Sequence, residues 1–132
     1  MERSATGSFD IQRTAEPPYD TADGVTLGRT HFDKQFHGPL TATSTVEMLF
    51  AGTPVPGSAG YVAIERVTGA LAGRAGSFVL QHSGTMTRGA PSLAVTVVPD
   101  SGTGELRGLA GRMVIEVADG KHSYRLDYTL DP

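Results

Sequence analysis

Apolar residues along this chain recur at every second position far more than at helical spacing. ATGSFDIQ (5–12) sets Phe9 and Ile11 on one face and Ser8, Asp10 and Gln12 on the other. VTLGRTHFDKQFHG (25–38) gives Phe32 and Phe36 a shared face, and TATSTVEMLF (41–50) is rich in β-branched residues. GYVAIERVTG (60–69), SFVLQHSGTM (77–86), SLAVTVVP (92–99), RMVIEVA (112–118) and HSYRLDYTL (122–130) continue the series. The pattern predicts about eight strands and no amphipathic helix. AEPPYDTADG (15–24) and AGTPVPGSAG (51–60) read as loops, since their prolines do not fit a central strand. Asp119-Gly120 reads as a two-residue hairpin turn.

Evenly spaced strands joined by polar turns suit an up-and-down barrel or a sandwich. About eight strands is also the number at which a closed barrel fills its interior with side chains or holds one small ligand. The expected fold is therefore all-β: an eight-stranded antiparallel closed barrel, one domain over residues 1–132.

A repeated frame supports closure. TGALAGRAG (68–76) and TGELRGLAG (103–111) share the form T-G-x-L-x-G-x-x-G, and each joins two strong strands. Glycine allows close backbone approach and positive φ, as corners and bulges require. The sequence predicts two equivalent corners on one rim, with the frame's leucine folded back as a plug. Neither copy ends in Gly-Lys-Ser/Thr or opens a helix, so neither is a phosphate loop.

Composition narrows the partners. The 132 residues carry a formal net charge of −3 and only two lysines, Lys34 and Lys121, so a nucleic-acid partner is not expected. Cysteine is absent, which excludes disulfides and thiol nucleophiles. MERSATGSFDIQ lacks the apolar core of a signal peptide, and no stretch approaches the ~18 apolar residues of a membrane helix. A cytoplasmic protein without a membrane partner is the expectation.

TSTVEMLF, YVAIERVTGALAGRAGSFVLQHSGTM and VVPDSGTGELRGLAGRM together resemble an uncharacterised bacterial family, over about residues 4–130. The resemblance implies a barrel of the allene oxide cyclase kind, within the wider calycin-like shape, often oligomeric. It implies no activity. The plant cyclase's chemistry does not transfer, because this chain has no asparagine or cysteine to match it.

Three polar residues sit among apolar neighbours: Glu47 in STVEMLF, Glu65 in VAIERV and His82 in FVLQHSG. Tyr61, Ala63, Glu65 and Val67 share one strand face, and Phe78, Leu80 and His82 share another. An odd-sum register across the first glycine frame brings these faces together and lets Glu65 approach His82; an even sum brings Gln81 and Ser83 instead. Burial would raise the carboxyl pKa and a nearby imidazolium would lower it, so the pair is a candidate to hold a proton at neutral pH. Glu65 and His82 are thus the candidate catalytic residues, with Glu47, Tyr61, Glu65, Phe78, Leu80 and His82 as ligand-lining candidates. His31, Asp33 and His37 share parity, but 31 and 37 lie about 20 Å apart on a straight strand. No metal or cofactor is expected.

The leading function is an interior pocket for a small, largely apolar molecule. The second is an isomerase or cyclase moving protons through Glu65 and His82. A third is a structural oligomer whose interior is packed solid. Val62 and Ile64, opposite Ala63 and Val67, put apolar residues on both faces of one strand and suggest a covered outer surface, hence a homo-oligomer.

Overall fold

Alternating polarity becomes strand throughout the computed structural model, which describes residues 2–130. The strands are β1 (Arg3–Ala15), β2 (Thr26–His37), β3 (Leu40–Gly52), β4 (Ala59–Leu71), β5 (Arg74–Thr87), β6 (Ala90–Val97), β7 (Ala110–Ala118) and β8 (Lys121–Thr129). They pair antiparallel in chain order, and β8 returns to β1, closing the barrel. Most run past their apolar stretches, because glycine, serine and threonine at the ends continue the ladders. No helix among the described residues is long and apolar enough to cross a membrane.

Strand parity sorts the chain into inside and outside. Phe9, Phe36, Ala42, Val46, Val67, Phe78, Leu80, Val95, Met113, Tyr124 and Leu126 point inward and are buried. Burial of each large side chain contributes roughly 1.5–3 kcal/mol, which makes this inward face the main source of stability.

The two barrel ends differ. At one end Leu40, Leu71, Leu106 and Leu109 close over Phe78, each almost fully buried in the same apolar cluster. Tyr124 braces that end: its Oη donates to His37 O at 2.9 Å and accepts from Leu40 N at 3.2 Å. The opposite end, formed by the loop after β3 and the turn between β5 and β6, is open.

The two glycine frames share this closed end but are not equivalent corners. The first is a plain hairpin in which Thr68–Leu71 ends β4 and Arg74 begins β5. Its turn is Ala72-Gly73, with φ of 49° and 84°, the left-handed pair that twists with the strands. The second is a longer connection with one 3-10 turn at Gly104–Leu106. The two copies lie on each other: Thr103 N donates to Ser77 O at 2.8 Å, and Ala75 N to Glu105 Oε1 at 3.2 Å. Gly76 permits this, because a Cβ there would overlap the Thr103 carbonyl. Both frame leucines, Leu71 and Leu106, are buried as plugs.

One seam is thin. β6 and β7 share a single registered pair, Thr96 with Arg112, while every other neighbouring pair of strands forms a long ladder.

Candidate functional site

Leu71 pairs with Arg74 and Ala63 with His82, so the register of β4 on β5 has an odd sum. Glu65 and His82 therefore face the same interior, as diagonal neighbours on adjacent strands. His82 Nε2 lies 2.8 Å from Glu65 Oε1. The closed sheet adds two partners from further strands. Lys34 Nζ on β2 donates to the same Oε1 at 3.2 Å, and Ser44 Oγ on β3 donates to Oε2 at 2.6 Å. All four side chains are buried, and Glu65 is wholly enclosed.

Burial by itself pushes the Glu65 carboxyl up, but hydrogen bonding to His82, the Lys34 charge and the Ser44 hydroxyl outweigh it. The net shift is downward, so Glu65 carries charge rather than a proton at neutral pH. With the carboxylate ionised, the proton between the pair sits on the His82 ring. An ionised carboxylate only accepts hydrogen bonds, which places the His82 ring proton on Nε2. The His82 side chain makes this one hydrogen bond among the described residues, through Nε2, and none through Nδ1.

Above this cluster the interior is not filled. A cavity of about 160 Å³ is lined by Phe9, Phe32, Met48, Tyr61 and Ile115, with Lys34 and His82 among its walls. It shares Met48, Tyr61 and Leu93 with a wider apolar mouth of about 500 Å³ at the open end. Tyr61 sits at the neck, its ring 6.5 Å from that of His82. Its hydroxyl pKa is raised, first by burial and then by the Glu65 charge. The interior is thus packed at the closed end and hollow towards the open one, which disagrees with a solid core throughout.

The other expected lining residues divide. Phe78 and Leu80 face inward but belong to the packed cluster, below the cavity. Glu47 points outward, because its parity on β3 is opposite to that of Ser44 and Val46. It pairs with Arg29 at 3.0 Å and with His31 Nδ1 at 2.7 Å on the surface. Its bond to His31 holds the Glu47 carboxyl below its usual range, and that same bond raises the His31 pKa. Asp33 meets the other ring nitrogen of His31 at 3.1 Å, and His37 pairs separately with Asp10 at 2.8 Å.

Lys34 and Ser44 were not anticipated from sequence. The signal was present for Lys34, which occupies the parity of Phe32 and Phe36 and so had to point inward. Its ammonium lies 4.8 Å from the Phe9 ring centroid, a cation–π contact that eases its burial.

Comparison with known proteins gives a consistent picture. The family model described as a protein of unknown function, DUF3224, matches residues 5–128. The crystal structure of a protein of unknown function from the DUF3224 family, from Shewanella oneidensis MR-1, is 51% identical over the full length of both chains, with a TM-score of 0.94. No curated protein matches the chain significantly.

Proposed function

Since the chain belongs to the DUF3224 family of proteins of unknown function, we propose from its geometry that the barrel binds one small, largely apolar molecule. The observation that carries this reading is an apolar cavity of about 160 Å³ whose lining includes Lys34 and His82, the two buried nitrogen-bearing partners of Glu65. Apolar cavities of about 150 Å³ are large enough for benzene, so the deep part suits one ring or its equivalent. The wider mouth leaves room for a longer tail. Lysine is a donor only, so the part of the ligand that meets Lys34 is a hydrogen-bond acceptor such as a carbonyl or carboxylate oxygen.

Two probes of equal size test this. Cyclohexanone shifts the NMR resonances of cavity-lining residues at lower concentration than methylcyclohexane, which lacks the acceptor. Leu93→Trp, at the exposed rim, abolishes both responses while the rest of the spectrum is retained. Cavity resonances that respond to neither compound overturn the reading.

A second reading, association of identical chains, is favoured by the outer face of β3 and β4. There Leu49, Val62 and Ile64 are about half exposed and adjacent across the pairs Leu49–Val62 and Glu47–Ile64. Isolated apolar side chains on a surface are ordinary, but a contiguous group suits a subunit contact.

A further inference from the structure

We propose that the cavity floor is a proton-transfer centre for small apolar carbonyl compounds, with His82 Nδ1 as the base, Lys34 as the oxygen-binding group and Glu65 as a positioning residue. This rests on the binding reading above and goes beyond it by assigning a reaction class and a role to each side chain.

The assignment follows from the hydrogen bonds. Both Glu65 oxygens are committed, Oε1 to His82 and Lys34 and Oε2 to Ser44, and the carboxylate is wholly enclosed. It has no access to a substrate. Its use is to fix the imidazole: accepting from Nε2–H, it makes Nδ1 the lone-pair nitrogen of the neutral ring. That nitrogen has no protein partner among the described residues, and the ring forms part of the cavity wall. Lys34 also reaches the wall, and it shares Oε1 with His82, so ammonium and imidazole are neighbours. A base beside a fixed positive donor in an apolar enclosure is the arrangement that enolisation requires. The remaining titratable groups on the cavity wall are Tyr61, at the neck, and His122, its ring tilted against that of Phe9 at 5.1 Å between centroids.

The step is balanced within the site. His82 Nδ1 takes a proton from the carbon beside the carbonyl, and the pair of that C–H bond becomes the C=C bond of an enolate. The carbonyl π pair moves onto oxygen, which is held by Lys34 Nζ. With a β,γ-unsaturated ketone the proton returns from Nδ1 to the γ carbon, yielding the conjugated isomer. No oxidant, reductant or second substrate is consumed.

Cyclohex-3-enone is the test compound, its conversion to cyclohex-2-enone followed by ultraviolet absorbance. Wild-type protein accelerates the conversion, and His82→Gln, which keeps a donor for Glu65, loses about 100-fold or more of kcat at saturating substrate. The ¹⁵N spectrum of the imidazole shows Nε2 protonated and Nδ1 bare, and Glu65→Gln alters that signature along with the rate. Cyclohexanone binding with no conversion above the His82→Gln level overturns the proton-transfer role and leaves the binding reading standing. A protonated Nδ1 at neutral pH also overturns the role. Absence of cyclohexanone binding overturns both.

Discussion

Tyr61 lays its ring over Gly84, its partner across β4 and β5, in the space that a Cβ at position 84 would occupy. The missing side chain lets the ring lie flat against the wall, between the deep cavity and the mouth. A glycine inside a strand is thereby offset by an aromatic neighbour covering its backbone.

Gly84→Ala consequently forces the ring out of its seat. The expected cost is about 1–3 kcal/mol, the usual range for overpacking. Removing the ring as well, in Tyr61→Ala/Gly84→Ala, relieves the clash, so the two changes couple by about 0.5–3 kcal/mol. Urea denaturation of the two single variants and the double variant measures this. Strictly additive costs would contradict the contact.

The buried ionic cluster makes a different demand. Glu65→Ala leaves Lys34 and His82 enclosed without their acceptor, and breaking such a pair costs about 3–5 kcal/mol. Replacing the set with apolar groups, as Lys34→Met/Glu65→Leu/His82→Leu, recovers most of that loss, because desolvated charges add little net stability. Denaturation midpoints decide between a cluster kept for stability and one kept for chemistry. A triple variant as unstable as Glu65→Ala would point to stability.

Acid sensitivity follows from the same residue. Burial opposes ionisation of Glu65, yet His82, Lys34 and Ser44 bring its folded pKa below the ordinary value of 4.5. A depressed carboxyl stabilises the fold fully above the pKa of the unfolded chain, and that contribution drains away as pH falls through the lower folded value. Between about pH 6 and pH 3 the wild-type urea midpoint therefore falls more steeply than that of Glu65→Gln. Parallel curves would show that the shift is absent.

Much of this was legible in the order of residues. Period-two alternation located every strand, and Asp119-Gly120 is the β7–β8 turn, with φ of 53° and 74°. The meeting of Glu65 and His82 depended on one bit of information, the parity of the first hairpin, which Ala72-Gly73 supplies by turning in two residues. Lys34 and Ser44 come from β2 and β3, and two further hairpin registers, Lys34 on Ser44 and Ser44 on Val67, carry them to the same point. Glu47 misled because apolar neighbours flank it on both sides. In a sheet with an apolar patch outside as well as inside, hydrophobic neighbours do not reveal which way a residue faces. The twin glycine frames were visible as a repeat, but their mutual contact was not, since one forms a hairpin and the other a longer link.

The single Thr96–Arg112 pair has a mechanical meaning for the cavity. Pro91, Ser92 and Leu93 line the mouth and are laced to β5, but among the described residues no rung ties them to β7. Widening the funnel on that flank stretches a slit without snapping any backbone bond, while the flanks of β3, β4 and β5 resist as a continuous mesh. The opening yields there at least expense, and a clasp introduced between Leu93 and the facing strand would fix its width.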